Sequence, residues 1–119
     1  MEIATVPRPA YPTTETSVTG LSDELMNVVR AYAKQRCQPL RAIYDEAVSA
    51  MVERLDSDEE IIFVATIPGR KIRTRHIRLT PEVAAAMAEA CGRARVHQSV
   101  FFLRSLRDYL SRRGIDAPE

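Results

Sequence analysis

The stretch Thr74–Val83 reads TRHIRLTPEV, and within it the spacing of apolar residues changes from that of a strand to that of a helix. Residues alternate between two faces up to Leu79, which predicts a short strand with one mostly apolar face. That face carries Ile77 and Leu79, with Arg75 as its exception. The opposite face carries three polar residues: Thr74, His76 and Arg78. Thr80-Pro81-Glu82 is then typical of a helix start, with threonine as N-cap and proline at the first helical position. The stretch therefore predicts a strand that leads directly into a helix.

Two amphipathic helices are predicted downstream of this strand. Apolar residues recur at helical spacing from Val83 to Cys91, and a break near residues 92–96 precedes a second stripe that begins at Phe101. Two arginines followed by Gly114 indicate the end of that helix. The tail at residues 114–119 is expected to fray.

The first half of the chain follows the same plan. Ser22 is a good N-cap for a helix that should end near Arg36–Cys37, because Pro39 disfavours helical geometry in the residue before it. Pro39 itself can open a second helix, whose apolar stripe continues to Leu55. We therefore predict the order strand, helix, helix in both halves.

An internal repeat relates the two halves. An offset of 58 residues aligns 16–55 with 74–113 without a gap and joins the N-cap Ser22 to the N-cap Thr80. The predicted boundaries are a flexible arm at 1–15, one domain at 16–113, and within that domain a linker at 56–73. The predicted fold is mainly α, with a short two-stranded antiparallel β-ribbon.

Composition and charge limit the class of protein. The 119 residues are 45% hydrophobic and 28% charged, as in a single soluble globular domain. No run approaches the roughly 18 apolar residues of a membrane span, and the widely separated Cys37 and Cys91 suit a reducing cytoplasm. Residues 1–60 carry a net charge of −5 and residues 61–119 one of +6, which favours a polyanionic partner for the second half.

The sequence carries no recognisable motif for catalysis or for a cofactor. His76 and His97 do not stand in metal-binding spacing, and there is no P-loop, GxGxxG or nucleophile elbow. We therefore expect a binding protein that has no catalytic residues, metal or cofactor.

Thr74–Leu110 resembles the ribbon-helix-helix family of DNA-binding proteins, the group that contains the Arc and MetJ repressors. The resemblance depends on RHIRLTPEV, on the small residue Cys91 with Ser99 eight positions later, and on the closing FFLRSLRDYL. Residues 16–55 match less well, because Arg41 replaces the serine. In this family two units pair their strands into a ribbon that enters the DNA major groove. Here one chain would supply both units, as in the tandem accessory proteins of conjugative plasmids and the single-chain T-DNA virulence protein that binds the overdrive sequence.

The resemblance also implies which residues read bases, because alternate ribbon residues face the DNA. The implied base-reading residues are Thr74, His76 and Arg78 in the second copy, and Thr16 and Val18 in the first. The next first-copy position is Gly20, which has no side chain to read with. Either the second strand does most of the reading, which suits a non-palindromic site, or the register slips so that Ser17 and Thr19 face outward.

Phosphate contacts are implied at the N-terminus of the second helix of each unit. The implied phosphate-binding residues are Gln98 and Ser99 with Arg95 and His97 nearby, Arg41 in the first copy, and Arg70, Lys71 and Arg73 beside the strand. Cys37 stands where the family often has a left-handed glycine, so a different turn is expected there. Arg95 holds the same position in the second copy.

The expected function is sequence-specific binding of double-stranded DNA by a cytoplasmic monomer without membrane contact. It would serve plasmid or T-DNA processing, with a relaxase or another DNA-processing protein as a further partner, or transcriptional repression. The alternative is an antitoxin-like or secretion-adaptor module, whose extended apolar segment Ile61–Thr66 docks a protein by strand addition.

Overall fold

Four helices and a two-stranded antiparallel sheet form the fold in the computed structural model, which describes residues 13–64 and 74–116. The elements are β1 (Thr14–Thr19), α1 (Asp23–Gln35), α2 (Leu40–Asp56), β2 (Thr74–Leu79), α3 (Pro81–Ala94) and α4 (Gln98–Arg112). The prediction of a mainly helical chain with a two-stranded antiparallel sheet is confirmed. Each helix in the described ranges is too short or too polar to span a lipid bilayer.

The sheet pairs one strand from each half of the chain. Thr16 lies opposite Ile77, and Val18 lies opposite Arg75. One face of the sheet packs on the helices, because Val18, Ile77 and Leu79 are buried. The core beneath it draws on all four helices, including Leu25, Val29, Ile43, Met51, Met87, Phe101, Phe102 and Leu106.

Local signals account for most helix ends. The hydroxyl of Ser22 accepts a hydrogen bond from the Leu25 N–H at 3.1 Å, and α1 ends at Gln35, one residue before the predicted end near Arg36–Cys37. Pro39 is the N-cap of α2 rather than its first residue. α3 continues to Ala94, inside the predicted break at 92–96, and ends where Arg95 adopts the left-handed conformation.

The turns between the paired helices are alike, contrary to the expectation for Cys37. Both Cys37 (φ 54°) and Arg95 (φ 57°) adopt the left-handed conformation without being glycine. The following N–H groups, of Gln38 and Val96, reach back five residues to carbonyl oxygens at 2.9 and 3.1 Å. These bonds satisfy helix-terminal carbonyls and hold both turns in one geometry.

Two predicted boundaries are corrected at the ends of the domain. β1 begins at Thr14, so the boundary of the arm at residue 15 is too late, because Thr14 and Glu15 pair with Leu79 and Arg78. Gly114 and Ile115, which the sequence assigns to a frayed tail, are hydrogen-bonded to the end of α4: their N–H groups donate to the carbonyls of Ser111 and Leu110, both at 3.0 Å. The rest of the arm (1–12), part of the linker (65–73) and residues 117–119 lie outside the described residues.

The described part of the apolar segment after α2, residues 61–64, forms no strand and is anchored to the core by two of its residues. Ile61 and Phe63 are partly buried, and the Phe63 ring stacks on Phe101 with 5.6 Å between centroids. Ile62 and Val64 alternate with them and are 72% and 75% exposed. The segment therefore has one anchored and one exposed apolar side.

Gly20 changes the relation between the two halves. The helices keep the 58-residue offset, since α1 begins at Asp23 and α3 at Pro81. The buried strand residues Val18 and Ile77 are instead 59 positions apart. Gly20, with φ 95°, is the extra residue between β1 and the buried Leu21. A shift by one residue exchanges the two faces of a strand, so Gly20 decides which β1 side chains face solvent.

Candidate nucleic-acid interface

The face of the sheet that points away from the helices is entirely polar. We call it the ribbon face; it consists of Glu15, Ser17, Thr19, Thr74, His76 and Arg78. These residues form three cross-strand pairs, Glu15 with Arg78, Ser17 with His76 and Thr19 with Thr74. All are exposed except Thr19, which is partly buried.

The second-copy side chains lie where the sequence predicts, and those of the first copy do not. Thr74, His76 and Arg78 are exposed on the ribbon face. Val18 has no exposed surface, and Thr16 shares its inward face, so the prediction that these two side chains face outward is wrong. The extra residue Gly20 is the physical reason. The alternative register, with Ser17 and Thr19 outward, is the one observed.

The two ends of the ribbon face differ in chemistry. At one end the Glu15 carboxylate lies 3.0 Å from His76 Nδ1 and 3.7 Å from the Arg78 guanidinium. At the other end the hydroxyls of Thr19 and Thr74 are 3.4 Å apart. The middle pair joins the Ser17 hydroxyl to His76 Nδ1 at 3.2 Å. One end of the ribbon face therefore carries a guanidinium and a carboxylate, and the other end carries two neutral hydroxyls.

The start of α4 is tied to β1. The Ser99 hydroxyl accepts a hydrogen bond from the Thr19 N–H at 2.9 Å, and the Gln98 amide donates to the Ser17 carbonyl at 3.0 Å. His97 Nδ1 accepts from the Ser99 N–H at 3.1 Å. Because Ser99 is only 5% exposed, its hydroxyl positions β1 and does not present itself to a phosphate. The helix end holds the ribbon at the Thr19 end.

The start of α2 is tied to the end of β2 by charged groups. The Asp45 carboxylate accepts from the Thr80 N–H at 3.0 Å and from its hydroxyl at 2.5 Å. Thr80 is the N-cap residue of α3, but its hydroxyl makes no capping hydrogen bond to the helix, because it donates to Asp45 instead. Arg41 donates to the same carboxylate at 2.8 Å and to the Thr80 hydroxyl at 3.0 Å. Arg41 therefore lies beside the ribbon face, where its guanidinium forms an ion pair with Asp45.

A basic groove of about 570 Å³ adjoins the charged end of the ribbon face. Four arginines and one histidine line it: Arg30, Arg41, Arg75, Arg78 and His76. Arg75, the charged residue on the inward side of β2, donates to the Leu21 carbonyl at 3.2 Å and pairs with Asp23. Burial raises the pKa of the Tyr44 hydroxyl in the same groove, and the charges of Arg30 and Arg75 oppose that shift.

Several residues of this interface were not identified from sequence. Glu15 was assigned to the arm, and Ser17 and Thr19 were reading residues only in the alternative register. Arg30 lies on an exposed helix face, where a single arginine carries no distinguishing signal. Of the predicted phosphate ligands, Arg95 and His97 are exposed. Arg70, Lys71 and Arg73 lie outside the described residues.

Within the two described ranges, no group of three or more histidine, cysteine, aspartate or glutamate residues could hold a metal ion. Comparison of the chain with models of protein families finds no match. Comparison with curated proteins and with solved structures finds no significant match either.

Proposed function

We propose that the protein binds double-stranded DNA sequence-specifically by inserting the ribbon face into the major groove. The observation that carries this proposal is the two-faced sheet, with one side buried on the helices and the other a continuous polar surface. A two-stranded ribbon fits the major groove, where each base pair presents a distinct set of donors and acceptors. The six ribbon-face side chains supply matching groups: hydroxyls, an imidazole, a guanidinium and a carboxylate.

The proposed architecture is a tandem ribbon-helix-helix in which one chain forms both halves of a pseudo-dimer. Its support is the order strand, helix, helix repeated at a constant helix offset, with β1 and β2 from different halves paired antiparallel. Neither half could bury its apolar face alone, since β1 packs on α3 and α4 and β2 packs on α2, each strand against helices of the other half. We therefore propose a monomer in the absence of DNA, and no catalytic activity.

The proposed target is a non-palindromic site. A ribbon made by two identical chains presents the same residues to both half-sites, whereas this ribbon has a charged end and a hydroxyl end. Such a protein binds DNA in one orientation. Oriented binding suits a role in plasmid or T-DNA processing beside a relaxase or a related enzyme, and it also permits repression at a single operator.

A binding series on a random-sequence duplex tests the proposal. Affinity should fall steeply with salt, because arginines that contact phosphates release counterions. Arg78→Ala should lower affinity for a selected site by about tenfold, with little effect on random DNA, as expected for a base-reading residue. The control is Arg112→Ala, which removes an exposed arginine at the far end of α4. If the protein binds neither the selected nor the random-sequence duplex at low salt, it is not a DNA-binding protein.

A protein-interaction module is the second candidate, and the exposed side chains of Ile62 and Val64 favour it. They lie on a segment that Phe63 anchors to the core and that forms no strand of its own. An extended segment with exposed apolar side chains can receive an added strand. Ile62→Asp distinguishes the two candidates. A DNA-binding protein should keep its DNA affinity in this variant, whereas a docking module should lose its protein partner.

A further inference from the structure

We propose that Glu15 and Arg78 together read one G·C base pair, with Arg78 on the guanine and Glu15 on the cytosine. The inference rests on the proposed function and names the base pair at the charged end of the ribbon face. It assigns a specificity-determining role to Glu15, an acid that lies among the donors of this surface.

The position of the carboxylate is the first argument. Glu15 lies directly opposite Arg78 in the sheet, and both side chains project from the ribbon face, 48% and 63% exposed. Side chains opposite each other across two strands start about 5 Å apart. The 3.7 Å between the two charged groups confirms that their ends can reach one small target.

The chemistry of the groove is the second argument. A carboxylate is repelled by the DNA phosphates, so at a reading surface it lowers affinity unless it accepts a hydrogen bond from a base. In the major groove only cytosine N4 and adenine N6 donate. Arg78 is matched to guanine, whose O6 and N7 both accept, and the base paired with guanine is cytosine. An acceptor beside a bidentate donor therefore complements one G·C pair in one orientation.

The opposite end of the ribbon face indicates where in the DNA site the G·C pair should lie. Thr19 and Thr74 occupy the equivalent cross-strand pair there, and they offer two hydroxyls and two methyl groups instead of opposite charges. Such groups suit a thymine methyl or a single base acceptor. The strict G·C requirement should therefore appear in one half-site only.

In vitro selection from a randomised duplex pool, with the full chain, tests the assignment. The wild-type protein should enrich a site with one strongly preferred G·C pair, and Arg78→Ala should lose that preference. Glu15→Ala should reduce the discrimination of G·C against A·T at that pair by about tenfold. Part of the change should be a gain on A·T, because thymine O4 is an acceptor that a carboxylate repels. Glu15→Gln keeps an acceptor oxygen and should retain most of the preference.

Glu53→Ala is the matched control, since it removes an exposed acid from α2, away from the sheet. It should leave the preference unchanged, and thermal melts should show all variants folded. If Glu15→Ala tightens binding to every duplex by the same factor, Glu15 is only a repulsive charge and the assignment is wrong, while DNA binding stands. If no protein enriches any duplex, the proposed function fails and the assignment fails with it.

Discussion

The Ser99 hydroxyl accepts a hydrogen bond of 2.9 Å from the backbone N–H of Thr19, 80 positions away in the sequence. The first turn of α4 thereby fixes the end of β1 just before the chain turns at Gly20. In the other half, Asp45 of α2 accepts the N–H of Thr80, the residue that follows β2. Two different acceptors thus hold the two strand ends, and both orient the ribbon face relative to the helices.

Ser99→Ala should lower the free energy of unfolding by about 1–2 kcal/mol, because it leaves the part-buried Thr19 N–H without its acceptor. Urea denaturation measures the change. Ser111→Ala on the same helix is the control and should be close to neutral, since that side chain is exposed. Equal stability of the two variants would mean that water replaces the Ser99 hydroxyl at no cost.

Substitutions at two glycines should change stability in opposite directions. Gly20→Ala should cost about 1 kcal/mol, because φ 95° is unfavourable for a residue with a Cβ. Gly92→Ala should stabilise by about 0.5–1 kcal/mol, since Gly92 is exposed within α3 and an added Cβ meets no atom within 4 Å. Thermal melts compare them, and a stabilising Gly20→Ala would contradict the turn geometry.

Ser17→Ala and Val18→Ala should separate DNA binding from folding. Val18 has no exposed surface, so its truncation should cost about 2 kcal/mol of stability. Ser17 is exposed on the ribbon face, so its truncation should leave the melting temperature unchanged and weaken binding to a selected duplex. The reverse pattern would mean that β1 uses the 58-residue register, with Val18 outward.

Stability should fall between pH 9 and 11 because of Cys91. Burial raises the pKa of this thiol from 9.0 to about 11, so the unfolded chain loses the proton first as the pH rises. The contribution is complete below pH 9 and is lost as the pH rises through the folded-state value. The urea midpoints at pH 8 and 10.5 should therefore lie closer together in Cys91→Ala than in the wild type or in Cys37→Ala, whose side chain is exposed. Part of the decrease should remain in Cys91→Ala, because burial also raises the pKa of Tyr44 and Tyr109 above that of an unfolded tyrosine. An unchanged decrease in Cys91→Ala would assign it to other groups.

The same burial should make the two cysteines react differently with a thiol reagent at pH 8. Cys37 is exposed and should react within the native protein. Cys91 is buried and should react only when the chain unfolds. Two equivalents of fast reaction would show that α3 opens readily around Cys91.

The sequence by itself determined the elements whose signals are local. The helices follow from apolar spacing and from caps such as Ser22, because capping bonds and helical periodicity involve residues within a few positions of each other. β2 was also determined, including its two faces, because Ile77 and Leu79 are large apolar residues with period two. Arg78 and His76 could therefore be assigned to the exposed face before any pairing was known.

Only the tertiary structure decided the register of β1 and, with it, half of the ribbon face. Thr14–Thr19 contains a single large apolar residue, Val18. The sequence of this strand therefore does not show which alternate residues form its buried face. The buried face of β1 is set by the burial of both Val18 and Leu21. Burying both requires the extra residue Gly20, which has a positive φ. Burial of Val18 depends on helices far away in the sequence. When Val18 faces those helices, Glu15 lies on the opposite face of the sheet, beside Arg78. The identity of the exposed side chains is therefore a consequence of packing between the two halves.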